Sequence, residues 1–432
     1  MHSLGANTSR IAIGFIVLSV LLCVAPPLAL CQTETVLHSF DGQSGNGDGV
    51  QPGAGVIMDK KGNLYGTTVW GGDLSCNPLG PYPGCGTVFK IVPAGVNSPE
   101  SVVYMFGTQP GDGSEPVGGS LVLSGTKLYG TTNIGGYLSC FSPNGCGTVF
   151  ELTTTTGAET PIYTFTSESD GLFPVGVIEK SGILYGTTTG GGPQGCGTVF
   201  QLNPPARKGG AWTKTELNYF GPEPGDGGCD ANPGLVYKDS ILYGTTSRVG
   251  ADGGGTVFGL NVTEPDVFTL LYNFMTPPSD GFDPAAGLIM DGKGNLYGTT
   301  EYGGAYGSPG ESTGGTVFEV NTVTQTETVL FSFGGYPGDG LLPEAGLVRY
   351  KNNLYGTTYT GGKNGNGTVF KLAPPAKKGG PWTETILYSF GATSDDGRYP
   401  AAGLIVDKKG NLYGTTTTGG AYGSGTVFEI TP

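Results

Sequence analysis

Short runs of apolar and β-branched residues alternate along the chain with clusters of glycine, proline, asparagine and aspartate. Near the C-terminus these runs cover residues 384–390, 402–406, 412–416 and 426–430. Runs of this length between turn residues are typical of β-strands. No segment has a convincing 3.6-residue period of apolar positions, so we expect no helices.

The runs belong to a unit that occurs seven times. Its motif Leu-Tyr-Gly-Thr-Thr begins at Leu64, Leu128, Leu184, Leu242, Leu296, Leu354 and Leu412. A second motif, Gly-Thr-Val-Phe, follows each copy and ends at Phe89, Phe150, Phe200, Phe258, Phe318, Phe370 and Phe428. A third motif, Asp-Gly-x-x-Pro, precedes each copy, with its aspartate at Asp48, Asp112, Asp170, Asp226, Asp280, Asp339 and Asp396. Only the fourth copy is longer, with three additional residues before Pro233.

Four strands in each of seven tandem units predict an all-β fold, a seven-bladed β-propeller formed by residues 32–432 as a single domain. A β-solenoid is the alternative, although its coils are usually shorter than these units. Residues 33–40 match the fourth strand type without the first three, and the chain ends after the third type. We therefore expect the N-terminal strand to complete the last blade as its outer strand and close the ring.

The repeat also predicts which loops share an end of the propeller. We place the Ala-Gly-Leu-Ile run innermost, then Leu-Tyr-Gly-Thr-Thr, then Gly-Thr-Val-Phe, and the Tyr-Ser-Phe run outermost. The loops before the innermost strand and after Leu-Tyr-Gly-Thr-Thr then form one end, which we call the top face. More than half of the 35 acidic residues fall in these loops, with only Arg248, Lys363 and Arg398 as basic residues. We expect an acidic top face that attracts cations.

The seven repeated aspartates allow two interpretations. An aspartate can accept backbone N–H bonds in a turn, glycine permits positive φ, and proline suits the start of a strand. The alternative is a ring of oxygen ligands for calcium, the one cofactor we consider. The structural role in the turn is the favoured interpretation.

The first 31 residues have the pattern of a secretory signal peptide. Arg10 provides the positive charge, residues 11–25 the apolar stretch, and Ala29-Leu30-Cys31 a cleavage site. Lipoprotein processing at Cys31 is the alternative. We expect a secreted, extracellular or periplasmic protein whose mature part has no transmembrane segment.

Six cysteines remain after Cys23 and Cys31 are removed with that segment. An even number in an exported protein favours disulfides that staple loops. We expect the pairs Cys76 with Cys85, Cys140 with Cys146, and Cys196 with Cys229. Redox or metal-binding cysteines are the alternative.

Charge and histidine content exclude several function classes. The net charge of −14 argues against nucleic acid, whose phosphates require a basic surface. His38 is the single histidine outside the signal peptide, so sites built from several histidines are excluded. We place His38 on the outermost strand of the last blade, at the surface and far from any central site.

The Leu-Tyr-Gly-Thr-Thr, Gly-Gly and Gly-Thr-Val-Phe motifs between residues 33 and 432 resemble the extracellular tandem repeat of choice-of-anchor GloVer-containing proteins. This resemblance covers nearly the whole chain after the signal peptide. It implies export and often a C-terminal anchor, but no established activity or catalytic residues. Since Pro432 follows the last repeat directly in the sequence, we do not expect the sorting segment of that family here.

A binding site is expected where the sevenfold pattern breaks, because identical positions in a ring cannot provide distinct chemical roles. The positions after Leu-Tyr-Gly-Thr-Thr and around the repeated proline vary most: Trp70, Glu115, Asp230, Arg248, Asp283, Glu301, Tyr302, Glu344, Tyr359, Arg398 and Tyr399. Of these, Trp70, Arg248, Glu301, Tyr302, Tyr359 and Tyr399 are our candidate ligand-binding residues. Aromatic rings beside carboxylates suit a polysaccharide, or a protein with arginine or lysine anchors.

These observations favour a non-catalytic binding or scaffold module with a polysaccharide or protein partner. The alternative is a carbohydrate-active hydrolase in which Glu301 and Asp283 are the paired carboxylates. A third possibility is a rigid spacer without a ligand.

Overall fold

The computed structural model describes residues 33–431 except 43–46, 77–81, 118, 224, 249–252, 265–266, 276–279 and 308–312. The expected signal peptide lies outside the described residues. The described part consists of β-strands joined by turns, with one short 3-10 helix at Glu168–Asp170. No helix among these residues is long and apolar enough to cross a membrane.

Each repeat contributes four main strands. The innermost strands are Ile57–Met58, Val122–Ser124, Leu172–Lys180, Val236–Lys238, Ile289–Met290, Val348–Tyr350 and Ile405–Val406. The second strands are Leu64–Thr68, Lys127–Thr132, Ile183–Gly190, Ile241–Arg248, Asn295–Gly303, Asn353–Thr358 and Leu412–Thr416. The third strands are Thr87–Ile91, Thr148–Thr153, Thr198–Asn203, Thr256–Asn261, Thr316–Asn321, Thr368–Ala373 and Thr426–Thr431. The outermost strands are Thr33–Ser39, Glu100–Met105, Glu159–Thr164, Thr213–Tyr219, Phe268–Asn273, Glu327–Ser332 and Thr383–Ser389.

Short strands extend each blade into the top face. Those in the Asp-Gly-x-x-Pro segment are Gly49–Val50, Gly113–Ser114, Cys229–Ala231, Gly281–Pro284, Gly340–Leu341 and Gly397–Arg398. Their partners, where they form separate strands, are Trp70–Gly71, Ile134–Gly135, Thr360–Gly361 and Thr418–Gly419. In repeats three, four and five the second strand itself continues into the top face and pairs there. In repeat three the innermost strand also continues into the top face. The Asp-Gly-x-x-Pro segment and the residues after Leu-Tyr-Gly-Thr-Thr therefore lie at the same end.

The strands pair antiparallel in the order innermost, second, third and outermost in every repeat, which confirms a seven-bladed β-propeller with four-stranded blades. In the last sheet the outermost strand comes from the N-terminus. Thr33 pairs with Thr431 and Ser39 with Thr426, with one bulge between Val36 and His38. The first and last strands of the described chain thus share a blade.

The innermost segments of all seven repeats line one central cavity of about 510 Å³. The pairing there is shorter than expected, since only Ile405–Val406 of the run 402–406 forms a strand in the last repeat. The glycines just before the innermost strands of neighbouring repeats crowd around the central axis, which leaves no room for a longer ladder between the innermost and second strands. A Cβ on Gly287 would approach the carbonyl oxygen of Gly234 to 2.4 Å, and one on Gly55 that of Gly403 to 2.7 Å.

Pairs of phenylalanines join each blade to the next. The phenylalanine that follows an outermost strand meets the phenylalanine of Gly-Thr-Val-Phe in the next repeat, edge to face, with ring centroids 5.0–5.4 Å apart. The pairs are Phe40–Phe89, Phe106–Phe150, Phe165–Phe200, Phe220–Phe258, Phe274–Phe318, Phe333–Phe370 and Phe390–Phe428. All of these rings are buried, so the hydrophobic core lies between the blades.

The glycine of Leu-Tyr-Gly-Thr-Thr makes room for these rings. Gly298 pairs across the ladder with Phe318, and a Cβ at Gly298 would lie 2.5 Å from the ring carbon Cζ. At the six equivalent glycines, a Cβ atom would lie 2.4–2.7 Å from Cζ of the corresponding phenylalanine in the same repeat. An aromatic ring that covers a cross-strand glycine shields the backbone and fixes the register.

Polar bonds of the two motif threonines, one within a blade and one between blades, repeat in the same way. The second threonine of the motif is fully buried and bonds the threonine of Gly-Thr-Val-Phe, as between Thr300 Oγ1 and Thr316 Oγ1 at 2.8 Å. The first threonine bonds the backbone of the next repeat, as when Thr299 Oγ1 donates to the carbonyl of Ala345 at 2.9 Å. These pairs leave few buried hydroxyls unsatisfied within the described blades.

Three disulfides staple loops of the first four repeats. They join Cys76 to Cys85, Cys140 to Cys146 and Cys196 to Cys229, with Cα atoms 5.7, 5.6 and 4.3 Å apart. All three predicted pairs are confirmed.

The repeated aspartates close the turns that follow the outermost strands. Asp112 accepts hydrogen bonds from the Tyr104 hydroxyl at 2.8 Å and from the N–H groups of Gly107 and Gly113. The next blade places a glutamate beside each such aspartate except Asp226, as Glu159 does for Asp112. We call each of these inter-blade positions an outer groove. Burial, with the charge of Asp112, raises the pKa of Glu159 to about 8.

We expect Gly298→Ala to destabilise the propeller by roughly 1–3 kcal/mol, because the added methyl group overlaps the Phe318 ring. Chemical denaturation followed by tryptophan fluorescence measures this loss. Gly292→Ala is the matched control, since nothing lies within 4 Å of its Cβ position. Equal stability of the two variants would contradict the role assigned to the motif glycine.

We expect the free energy of unfolding to fall as the pH rises from 5 to 9. Burial raises the pKa values of Glu159 and Glu327 to about 8 in the folded state, so the fold favours their protonated forms. Their contribution is complete below the unfolded pKa of about 4.3 and is lost as the pH passes 8. Glu159→Gln combined with Glu327→Gln should flatten the profile of melting temperature against pH. Exposed Glu264→Gln is the control, and an unaltered slope in the double variant would refute this cause.

Candidate functional site

One position of the top face has a left-handed backbone in all seven repeats without being glycine. Six of the seven residues stand directly before the repeated proline, and Asp230 takes the equivalent place in the fourth repeat, where Ala231 replaces the proline. Their φ angles are 56–59°, at Gln51, Glu115, Phe173, Asp230, Asp283, Leu342 and Tyr399. This conformation costs a residue with a Cβ roughly 1–2 kcal/mol, and such strain concentrates at functional sites.

Hydrogen bonds on both sides hold this backbone in place. The Asp283 N–H donates to the carbonyl of Gly254 in the preceding repeat at 2.9 Å, and Tyr399 donates in the same way to Asn366. The Tyr399 carbonyl in turn accepts from the N–H of Thr417 at 3.1 Å. Since these bonds use only main-chain atoms, the side chain at each position is free to differ, and the seven do differ.

The divergent side chains of repeats four to six converge on one pocket of about 520 Å³ at the top face. It is lined by Thr189, Asp230, Ser247, Arg248, Asp283, Ala285, Glu301, Glu344 and Ala401. Three of these residues also line the central cavity: Ala285, Glu344 and Ala401. This pocket, which we call the acidic pocket, therefore adjoins the central cavity and contains four carboxylates and one arginine.

Two of these carboxylates face each other across a β-ladder. Phe282 pairs with Tyr302 and Pro284 with Thr300, so Asp283 and Glu301 are directly opposite. The charge of Glu301 raises the pKa of Asp283, so the two carboxylates are close enough to repel each other. The fold thus holds two repelling carboxylates together in the pocket.

Burial and mutual repulsion raise the pKa values of the pocket acids. The pKa of Asp283 rises to about 6 through burial and the charge of Glu301, against the opposing charge of Arg248. The pKa of Glu344 rises to about 7 through burial and the same Glu301 charge. Burial also raises the pKa of Glu301. A cation in the pocket would relieve this repulsion.

Arg248 and Asp230 form the exposed side of the pocket. The Arg248 Nε atom lies 3.5 Å from Asp230 Oδ2, and the two side chains are 73% and 41% exposed. An exposed ion pair of this length contributes little to stability. Both groups are therefore available to a ligand.

Two aromatic pairs come from the same loops. The rings of Tyr359 and Tyr399 are 5.2 Å apart, and those of Phe282 and Tyr302 are 5.3 Å apart. Burial and the nearby Glu344 carboxylate raise the pKa of Tyr359. The first pair thus adjoins the acidic pocket through Glu344.

The structure brings some of the predicted site residues together and leaves others apart. Arg248, Asp283 and Glu301 line the pocket, whereas half-buried Trp70 pairs with Val50 in the first repeat and is not among its lining residues. Glu115 lines a separate pocket of about 660 Å³ beside the disulfide of Cys76. Except for Asp226, whose carboxylate accepts a hydrogen bond from Gln194, the repeated aspartates lie in the outer grooves, bonded to their own turns. Their binding of calcium stays a prediction.

Asn232 was not among the predicted site residues, although it supports the floor of the pocket. It is buried, and its amide donates to the carbonyl of Pro284 and to Thr245 Oγ1. Ser247 donates to the Asn232 oxygen at 2.9 Å. Ala231 pairs with Thr246 as Pro284 pairs with Thr300, so Asn232 is the counterpart of Ala285 and Glu344 in the next two repeats. The three residues expected as an insertion before Pro233 are therefore not an insertion: alanine replaces the repeated proline at Ala231, and this replacement hid the position of Asn232 in the sequence.

Comparison with solved structures finds other proteins of low identity. A GH74 enzyme from Niastella koreensis matches at 13% identity and a TM-score of 0.46, over 89% of this chain and 53% of that one. An oligogalacturonate lyase in complex with manganese matches at 11% and 0.45, over 80% and 82%. A nidogen/laminin complex matches at 13% and 0.40, over 67% and 87%. Similarities at these TM-scores carry no information about the activity of this chain.

No curated protein sequence matches the chain significantly. A family model does match, in three overlapping stretches at residues 28–217, 141–310 and 307–432. Together these stretches include all seven repeats, in agreement with the motifs and with the blades. The chain belongs to the Gloeobacter/Verrucomicrobia repeat family.

Proposed function

We propose that this protein is an exported, non-catalytic binding module whose acidic pocket holds a cationic side chain of an extracellular protein partner. The observation that supports it is the pair Asp283 and Glu301, which line one pocket beside the central cavity and interact through their like charges. The three disulfides support a location outside the cytoplasm. The pattern of the signal peptide agrees with that location.

The chemistry of the pocket favours an arginine or lysine over a sugar as the anchor. Four carboxylates but a single guanidinium group line the pocket, so it offers an excess of acceptors with negative charge. The aromatic rings of Tyr359 and Tyr399 pack against each other, which leaves less of their faces for stacking on a sugar. A guanidinium group can form two parallel hydrogen bonds to a carboxylate and so fits between the opposed acids.

Hydrolysis of a polysaccharide by Asp283 and Glu301 is the alternative that the same pair allows. A retaining glycosidase needs carboxyl groups about 5–5.5 Å apart, with one of them protonated near neutral pH. Incubation with neutral and acidic polysaccharides, followed by chromatography, tests this alternative. Fragments that disappear with Glu301→Gln would overturn the non-catalytic proposal.

We expect Asp283→Asn combined with Glu301→Gln to weaken binding of arginine-containing peptides at least tenfold. The probe is a set of short labelled peptides with one arginine, and matched peptides with glutamine, measured by fluorescence anisotropy at physiological salt. The same double variant should raise the melting temperature, because the repulsion between the opposed carboxylates is removed. That rise also shows that the variant is folded.

The control for this experiment is Glu179→Gln combined with Glu264→Gln, which removes the same charge at positions outside the pocket lining. Equal weakening by the control pair would show a general charge effect and contradict a specific pocket. Equal binding of the arginine and glutamine peptides would contradict a cationic anchor.

Binding of an arginine peptide should strengthen as the pH rises from 5 to 8. Over this range Asp283 and Glu344 ionise, with pKa values of about 6 and 7 in the free protein, whereas the guanidinium charge stays constant. The dissociation constant measured against pH should level off above about pH 7.5. Affinity that is constant across the range would argue against these two acids as ligands of the anchor.

A further inference from the structure

His38 lies in the outer groove between the last and the first blade. Its side chain is 18% exposed and faces Asp48, which is 7% exposed, and Glu100 of the first blade. The ligand atoms of these three residues all lie within 4.8 Å of one another. Contrary to the surface position expected from sequence, the imidazole is largely buried beside two carboxylates.

The spacing of this cluster does not match a hydrogen bond. The His38 Nε2 atom lies 3.5 Å from Asp48 Oδ2, whereas N–H···O bonds measure about 2.7–3.2 Å. Two ligands about 2.1 Å from one tetrahedral zinc ion are about 3.4 Å apart. His38 Nε2 and Glu100 Oε1 are buried, and neither has a hydrogen-bond partner among the residues that the structure describes.

Most of the other outer grooves contain a tyrosine–aspartate hydrogen bond that the groove of His38 does not have. In four of them a tyrosine stands where His38 stands, and its hydroxyl donates directly to the aspartate at 2.8–3.0 Å. These pairs are Tyr104–Asp112, Tyr163–Asp170, Tyr272–Asp280 and Tyr388–Asp396. Histidine replaces the tyrosine only at His38, and there the direct bond is missing.

One outer groove already contains a cation from the chain itself. Lys214, 6% exposed, places its ammonium group 3.0 Å from Asp170 Oδ1 and in contact with Glu216. Asp170 and Glu216 are the counterparts of Asp48 and Glu100 in that groove. The same pair of carboxylates therefore binds a positive charge in another copy of the repeat.

The Asp48 carboxylate is oriented by the backbone. Its Oδ1 accepts from the N–H of Gly49 at 2.8 Å and its Oδ2 from the N–H of Asp41 at 2.9 Å. Donors of this kind hold a metal-ligating carboxylate in position. A cavity of about 440 Å³, lined by Asp48, Glu100 and residues 101–105, adjoins the cluster and gives access from solvent.

We propose that His38, Asp48 and Glu100 bind one zinc ion. Zinc accepts imidazole nitrogen together with carboxylate oxygen, and three protein ligands leave a fourth position for water. Calcium and magnesium take oxygen ligands, so the histidine selects against them. The ion joins the N-terminal strand and the turn that follows it to the first blade. Since the N-terminal strand belongs to the last blade, the ion cross-links the last blade to the first.

Isothermal titration of the chelator-treated protein with zinc chloride tests this site. We expect one zinc ion per chain and a rise in melting temperature on binding, with no comparable heat from calcium chloride. His38→Tyr should reduce zinc affinity at least a hundredfold and remain folded, because tyrosine occupies this position in four other grooves. Glu100→Gln provides a second variant with the same expected loss.

Glu159→Gln is the matched control, since Glu159 holds the position of Glu100 in the neighbouring groove. It should bind zinc as the unaltered protein does. Absence of zinc binding by the unaltered protein would overturn the proposal. Unchanged zinc affinity in both His38→Tyr and Glu100→Gln would overturn it equally.

Discussion

The contact between one phenylalanine ring and the edge of the next, repeated from blade to blade, is the interaction on which the propeller depends. Each ring of Gly-Thr-Val-Phe fills the space above a cross-strand glycine and also receives the phenylalanine of the preceding blade. No blade can bury its own ring alone, so each sheet is completed only by its neighbour. The fold is therefore cooperative around the ring, including the pair Phe40–Phe89 that joins the last blade to the first.

Most of the architecture could be predicted from the sequence because the motifs encode contacts between strands. The glycine of Leu-Tyr-Gly-Thr-Thr and the phenylalanine of Gly-Thr-Val-Phe recur together since they pair across one ladder, as Gly298 and Phe318 do. Cysteine spacing predicted two disulfides because the members of each pair share one loop, and the pair of Cys196 with Cys229 followed because only these two cysteines remained. The extent of the innermost strands was less predictable, since crowding around the central axis, as at Gly287 and Gly234, shortens the ladder.

The site was harder to predict, because sequence separation says little about which loops meet at the axis. Variation after the motif identified Arg248 and Glu301, but Trp70 varies just as much and lies in another part of the ring. Left-handed backbone at non-glycine residues such as Asp283 and Tyr399 has no signature in composition. His38 was placed on the correct strand, yet its burial depends on Glu100, which comes from a different repeat.

The left-handed residues before the prolines are positions at which evolution can change the side chain without changing the backbone. Their conformation is held by main-chain bonds to neighbouring repeats, so a substitution there alters chemistry without altering the scaffold. Glutamine, glutamate, phenylalanine, aspartate, leucine and tyrosine already occupy equivalent places around the ring. At these seven positions of the top face, a single substitution can therefore create a new ligand preference while the backbone that determines the fold stays the same.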